Sequence, residues 1–439
     1  MHAFSLHTWQ QFKQRTRTTF AALSNRNYRI FFIGQGISLS GTWMQTVAQG
    51  WLVLQITGSG TQVGLVVAAQ FLPLLLVTPI GGMIADFFPK RRVLIATQAA
   101  FTLVQLTLGL VVIFGVVELW MVYVLAVIFG VINAVDNPTR QAFVSELVDR
   151  DTLRNAVTLN ATENNLARAV GPSIGAIVIA TVGIGFCFIA NAFSTLAVII
   201  ALSMMRTKSL HFEHSAARSH PLKQLRQGWD YARKTPLIRD ILIMAVIIGT
   251  FAYEFQISLP ILAKFAFGSD ASSYSQLWVA FGLGSVVGGL LAAGRKRASV
   301  QHLIRSAVLF GVSMLIVSSM PTLQFAVLGM LLVGFFSIQF TSLANTMLQL
   351  ESEGAMRGRV MSLWTMAMLG STPIGGPIIG YIAELLGARW GLAAGGCAAL
   401  LAGIFAIAPK FRAKRLVAIP AALKASIFAV DVREEQKFK

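Results

Sequence analysis

Charge is scarce in this chain. Of its 439 residues only 12% are Asp, Glu, Lys or Arg, against about a quarter in a soluble domain, while 55% are hydrophobic. Acidic residues are the rarer sign, 18 against 36 Lys and Arg, and there are 2 cysteines. Those two, Cys187 and Cys397, both lie inside apolar runs, so a disulfide framework is not expected and they read as small apolar filler. No His/Cys cluster has the spacing that holds a metal, and no Walker loop is present to cradle a nucleotide phosphate. The glycines of Gly282-Leu-Gly284 sit in an apolar run, not between a strand and a helix. The chain is therefore read as neither ATP-driven nor an enzyme, with no metal and no cofactor.

What is present is a succession of uncharged apolar runs of roughly 18 to 25 residues, long enough to cross a bilayer. Charge and Gly/Pro punctuation bound twelve of them, at about 28–54, 61–84, 93–115, 119–138, 156–181, 185–205, 239–260, 274–293, 301–319, 323–344, 359–385 and 388–408. The expected fold class is all-α, a polytopic membrane protein of twelve transmembrane helices. A formal charge of +18 would point a soluble protein toward nucleic acid, but the basic residues are placed otherwise. With a cytoplasmic N-terminus, all but three of the 36 fall in cytoplasmic loops, tails or helix ends; Lys264 and Arg389 fall outside and Arg168 within a span. Both termini are thus expected in the cytoplasm, in the inner (plasma) membrane, with lipid and not nucleic acid as the surrounding partner. The first 25 residues lack the apolar core and cleavage site of a signal peptide, leaving the first span as the address.

The longest internal polar stretch, Arg206 to Arg239, divides the spans six and six. The expected organisation is a cytoplasmic segment 1–27, a six-helix half 28–205, a linker 206–238, a second half 239–408 and a cytoplasmic tail 409–439. Internal repetition supports two related halves. Gly81-Gly82-Met83-Ile84-Ala85-Asp86, followed by Lys90-Arg91-Arg92, matches Gly288-Gly289-Leu290-Leu291-Ala292-Ala293, followed by Arg295-Lys296-Arg297, at an offset of about 207. Gly171-Pro172-Ser173-Ile174-Gly175 matches Gly376-Pro377-Ile378-Ile379-Gly380 at an offset of about 205. Two matches at nearly one offset, in corresponding spans, are hard to obtain by chance.

These features resemble the major facilitator superfamily over essentially the whole chain. The superfamily's loop between spans two and three has the form G-x-x-x-D-(R/K)-x-G-(R/K)-(R/K), and here Gly82, Asp86, Lys90 and Arg91 match while Phe87 and Pro89 depart from it. Asn137-Pro138-Thr139-Arg140-Gln141-Ala142-Phe143, Arg168-Ala-Val-Gly171-Pro172 and Gly358-Arg359-Val360-Met361-Ser362-Leu363 resemble a narrower branch of exporters similar to the enterobactin exporter and to macrolide efflux proteins. Span five also resembles the superfamily's Gly-Pro antiport motif, with Ala176 where a second glycine is usual. The resemblance implies a monomeric transporter that alternates access between two pseudo-symmetric six-helix halves. It favours proton-coupled efflux of a small amphipathic molecule, a drug or a siderophore. Uptake by symport shares the fold. A lipid flippase or membrane scaffold is a third reading, for which Lys410, Arg412, Lys414 and Arg415 would meet anionic headgroups, unless they serve only as a topology signal.

Alternating access needs a latch, and the resemblance assigns one to Asp86 with Arg140, placed at the end of span four; the plain alternative is a solvated loop carboxylate. Gly171, Pro172 and Gly175 allow close helix approach and a bend, serving either packing alone or the conformational switch as well. Ser38, Thr42, Gln45 and Gln49 share one helical stripe, expected to line the central cavity or to bond a neighbouring helix. Ionisable residues inside spans point most directly to mechanism. Glu254 is expected to relay a proton, to bind a cationic substrate, or to pair with Lys264. Asp136, Glu163 and Arg168 are expected to form a network with Asn133, Asn160, Asn164 and Asn165, in which Arg168 pairs with Glu163 or Asp136 or meets an anionic substrate. Trp43, Trp51, Tyr253, Phe255, Trp278 and Trp364 would line a site for a flat ligand or anchor the bilayer interface.

Overall fold

A computed structural model describes residues 20–206, 221–293 and 298–407. The first nineteen residues, Arg295, Lys296 and Arg297 of the repeat, and Lys410, Arg412, Lys414 and Arg415 lie outside them. Among the described residues the structure is helical and has no strand. The first half comprises α1 (Arg26–Thr57), α2 (Gly60–Phe87), α3 (Lys90–Ile113), α4 (Leu119–Leu147), α5 (Arg150–Thr181) and α6 (Ile184–Ser203). A short amphipathic helix, α7 (Pro221–Lys234), precedes the second half. There span seven is broken into α8 (Pro236–Phe251) and α9 (Phe255–Ile261), the latter running into a π turn at Leu262–Ala266. α10 (Ala271–Ala293), α11 (Val300–Ser319) and α12 (Leu323–Glu351) follow. Span eleven is divided into α13 (Gly354–Leu369) and α14 (Thr372–Leu386), and α15 (Ala388–Ile407) is the last helix described.

Ten segments of the described chain are long and apolar enough to cross a membrane. The two expected spans that fall short of that measure are α1 and α5, each 32 residues long. Their polarity has a structural reason. Gln35, Ser38 and Gln45 of α1 and Glu163 of α5 are buried against other helices and do not face lipid. Asn25 starts α1 by accepting the backbone N–H groups of Asn27 and Tyr28, and Ser59 starts α2 by accepting that of Gln62. Gly58, at φ 66°, makes the turn between these helices that a side chain would strain.

The same packing scheme occurs twice. α2 lies on α4 as α10 lies on α12, α3 on α6 as α11 on α15, and α1 on α5 and α6 as α8 on α13 and α15. The repeated glycines carry part of it. A Cβ on Gly81 would collide with the Ala134 carbonyl of α4, and one on Gly288 would lie 2.6 Å from the Phe335 carbonyl of α12. Ala134 is also four residues before Pro138, so its carbonyl loses its helical donor and projects into the space that Gly81 leaves. This accommodates the proline inside the helix: α4 does not end at 138 but continues to Leu147, which places Arg140 within it and not at its end. The halves meet along two seams, α2 against α14 and α5 against α10. One end of the bundle carries the α2–α3 connection, followed by Lys90-Arg91-Arg92, together with the α4–α5 connection, and is called the basic end below.

Candidate functional site

A cavity of about 540 Å³ lies between the halves. Its walls come from α1 (Trp43), α2 (Phe71), α5 (Arg168), the break between α8 and α9 (Tyr253, Glu254, Phe255, Gln256), α10 (Trp278, Phe281), α12 (Ser337, Thr341, Asn345) and α13–α14 (Trp364, Met368, Thr372). The break in span seven makes this possible. The backbone N–H groups of Ala252 and Tyr253 both return to the Ile248 carbonyl, the helix stops, and Glu254 begins the next one from a non-helical conformation. Its carboxylate is thereby turned into the protein, 3% exposed, where Thr372 meets it and Oε1 has no hydrogen-bond partner. Lys264, the alternative partner, is elsewhere: its Nζ donates to the Leu54 carbonyl at 2.9 Å.

Arg168 is set into the opposite wall by a close crossing of α5 and α1. A Cβ on Gly171 would lie 2.5 Å from the Ser40 carbonyl oxygen and 2.6 Å from Trp43 Cβ, so the glycine lets Trp43 rise beside the arginine. The Arg168 guanidinium sits 4.7 Å from the centroid of the Trp43 ring, whose indole N–H donates to Asn164 Oδ1 at 3.2 Å. Trp43 in turn lies 5.7 Å from Trp278 across the cavity. Arg168 Nε is buried and has no hydrogen-bond partner. The expected pairing of Arg168 with Glu163 or Asp136 is not formed.

Those two carboxylates belong to separate arrangements. Asp136 is fully buried and accepts from Thr97 Oγ1 at 2.7 Å, from Gln98 Nε2 at 3.0 Å and from Arg140, one turn along α4. Arg140 is thus engaged by Asp136, and the latch expected between Arg140 and Asp86 is absent from the ion pairs of the described residues. Glu163 faces α1, with Oε1 where a Cβ on Gly36 would come within 2.7 Å, Oε2 without a hydrogen-bond partner, and Arg140 as the charge acting on it. Asn160 accepts from the Tyr28 hydroxyl at 2.9 Å. The single network expected among these residues is therefore divided between the α3–α4 and α1–α5 contacts. In the α2–α3 motif, Lys90 pairs with Glu146 at 2.6 Å and Arg91 Nε donates to the Leu202 carbonyl at 2.7 Å, fastening α3 to α4 and α6. A Cβ on Gly82 would meet nothing within 4 Å, so the packing demand falls on Gly81.

Known proteins resemble this chain in sequence and in overall fold. The family model described as "Transmembrane secretion effector" matches residues 17–435. The chain belongs to this family, within the major facilitator superfamily. The chain is 24% identical over 413 residues to the enterobactin exporter of Escherichia coli, covering 91% of this chain and 95% of that protein. It is 23% identical over 363 residues to the staphyloferrin A transporter of Staphylococcus aureus, covering 82% and 90%. Among solved structures, a D-xylose–proton symporter superposes with a TM-score of 0.67 at 14% identity, over 88% of this chain and all of that one. A bacterial homologue of the lysosomal transporter Spinster superposes with a TM-score of 0.64 at 13% identity, over 88% and 95%. The protein is accordingly a multi-pass membrane transporter of the superfamily, related to siderophore exporters, and not an enzyme.

Within this fold the polar stripe of α1 forms a seam between helices. Gln45 accepts from Asn191 Nδ2 of α6 at 2.6 Å, Gln49 donates to Gln70 Oε1 of α2 at 3.2 Å, and Thr42 donates to the Ser38 carbonyl. None of Ser38, Thr42, Gln45 and Gln49 lines the central cavity. Trp51 is also excluded from it, stacked on Tyr274 at 6.2 Å, whereas Trp43, Tyr253, Phe255, Trp278 and Trp364 all contribute to the walls. Sequence reasoning missed the polar wall of α12. Its Thr341, Ser342, Asn345 and Thr346 recur at helical spacing in an otherwise apolar run, the same signal that was read in α1.

The end opposite the basic one is closed by direct contact between the halves. Glu384 Oε2 accepts from Ser59 Oγ and Thr61 Oγ1, both at 2.7 Å, and from Thr61 N at 3.1 Å. Beside this clasp, a Cβ on Gly60 would lie 2.9 Å from the Gly380 carbonyl, and one on Gly64 would collide with that of Gly376. Among the described residues, the hydrogen bonds that join the halves are this clasp and Lys264 to Leu54, all at this end.

Proposed function

We propose that this transporter is a proton-coupled exporter of a small amphipathic molecule, working by alternating access with the basic end and both termini in the cytoplasm of a plasma (inner) membrane. The observation that carries the reading is the cavity: aromatic walls, and a buried carboxylate, Glu254, with one oxygen unpartnered, at a helix break between the halves. Aromatic side chains supply apolar contact for a flat ligand, and a carboxyl reached from one side at a time can take a proton there and release it on the other. The basic connections belong inside by charge placement, so a seam closed at the opposite end leaves the cavity in contact with the cytoplasm, where an exporter loads. Kinship with proteins named for siderophore transport supports efflux over uptake.

The test is untargeted small-molecule analysis of medium and cytoplasm from cells with and without the protein, repeated with a protonophore and with Glu254→Gln. A compound found outside only with the intact protein, and lost under both treatments, is the expected outcome. Accumulation inside the cells would replace export by symport. Absence of any moved solute would leave a lipid or scaffolding role as the better account.

A further inference from the structure

Three side chains that line the cavity keep a buried polar atom without a hydrogen-bond partner, Arg168 Nε, Glu254 Oε1 and Trp278 Nε1, and the first two are ionisable. Arg168 brings a positive charge to the interface of the halves with no carboxylate partner among the described residues; the face of Trp43 and the neighbouring Tyr253 act on it, and its Nε is unpartnered. An arginine within a membrane domain is costly unless something neutralises it. Cation–π contact at 4.7 Å orients the guanidinium but leaves its N–H edge available, because a ring face attracts the cation without accepting along the N–H directions as a carboxylate does. On the other half, the bare Oε1 of Glu254 is an acceptor without a donor. Between them stand Trp43 and Trp278, ring centroids 5.7 Å apart, and Phe255.

We infer that the substrate is a flat aromatic molecule bearing both an anionic oxygen group, held by Arg168, and a hydrogen-bond donor, held by Glu254. This inference rests on the reading of the cavity as the transport site and narrows its ligand. An anionic group such as a carboxylate or phenolate matches the planar guanidinium fork and supplies the charge that the protein withholds. A hydroxyl or ammonium on the same molecule satisfies Glu254 Oε1. The second contact also accounts for coupling: a proton on Glu254 and a substrate donor compete for one carboxylate, and competition for a single site is what exchange of one for the other requires.

The experiment is isothermal titration of the purified protein in lipid nanodiscs, without any gradient, using a hydroxynaphthoate, the matching naphthoate and the matching naphthol. The hydroxynaphthoate is expected to bind at least about tenfold more tightly than the naphthol, the gain of a charge-assisted fork. Arg168→Gln should reduce that preference to less than about threefold, and Arg168→Lys, which keeps the charge but loses the fork, should keep part of it. Glu254→Gln should leave the preference for the anion intact while narrowing the gap between hydroxynaphthoate and naphthoate. Equal binding of acid and naphthol by the wild-type protein, survival of the preference in Arg168→Gln, or no binding of any probe would each overturn the inference. Should Arg168→Gln bind nothing, Arg168→Lys decides, since loss of the preference in a variant that melts like wild type is equally fatal. Because no transport is measured, failure of export in cells leaves this result standing. Export of a cationic or uncharged compound would remove the inference and keep the exporter.

Discussion

Asp136 and Arg168 are two ways of keeping a charge inside an apolar bundle. Asp136 is surrounded by its own partners, with Thr97, Gln98 and Arg140 filling its acceptor sites and no surface exposed. Replacing it by Asn would remove the carboxylate that Arg140 binds directly, leaving Glu163 as the carboxylate that still acts on it, and removing one member of a buried pair costs about 3–5 kcal/mol. Asp136→Asn is therefore expected to lower unfolding stability in detergent by about that amount, and the double variant Asp136→Asn/Arg140→Gln by less. A loss in the double variant equal to the sum of the two single losses would show that the pair is not coupled. Gly171 makes a second prediction at this scale. A methyl group there meets the Ser40 carbonyl and Trp43 Cβ at distances that backbone must absorb, so Gly171→Ala should cost about 1–3 kcal/mol and displace Trp43 from Arg168. Glycines were legible in the sequence because close approach leaves a compositional mark. The partner of Arg168 was not, because a single sequence places Glu163 nearby along α5 but is blind to the neighbouring helix whose Trp43 takes up the arginine.

Helices in this bundle owe their function to their interruptions. Sequence bounds found each span but treated span seven as continuous, since Thr250-Phe-Ala-Tyr-Glu-Phe-Gln contains neither Gly nor Pro to announce the break at Glu254. The reverse error occurred at Pro138, read as an end and tolerated in mid-helix because the freed carbonyl found room at Gly81. Helix α7 was hidden in a stretch read as a linker; Gly228 lies against Arg359, and the Tyr231 hydroxyl accepts from Glu353 N at 3.2 Å, so it packs on α13. The polar stripe of α1 was read correctly as a stripe, but whether a stripe faces a cavity or a helix depends on Asn191 and Gln70, which periodicity within α1 does not reveal. Between elements, the clasp at the start of α2 is the contact most open to test. Three donors converge on one Glu384 oxygen, so Glu384→Ala should shift the balance of closed and open seams by about 5- to 150-fold, the range of a coupling of 1–3 kcal/mol. A thiol introduced at Ile261, 1% exposed beside Gly60 in that seam, should then react faster with a membrane-impermeant maleimide added from outside. An unchanged rate would mean that the glycine contacts hold the seam without the carboxylate.

At the scale of the molecule, duplication was the most legible property: of the matched glycines Gly81 and Gly288 face equivalent helices, whereas Gly175 meets α1 of its own half and Gly380 meets α2 of the other, and the helices of the two halves recur in equivalent packing. Their equivalence is what gives rocking motion a geometry: each half packs tightly within itself, while the joins between halves are two seams and a few hydrogen bonds. If transport proceeds by parting those seams in turn, fixing one of them must stop it without emptying the cavity. Ser59→Cys with Glu384→Cys, in a Cys397→Ser background because Cys397 is exposed and Cys187 buried, places thiols on both sides of the clasp. A short cleavable bifunctional reagent should cut transport by at least about tenfold, with recovery on cleavage, while a ligand added from the basic end still binds. The two readouts separate the causes of failure. Lost binding would mean that the cross-link deforms the cavity, and transport at full rate through a covalently closed seam would mean that the substrate does not leave between α2 and α14, so that alternating access of the two halves is not how this protein works.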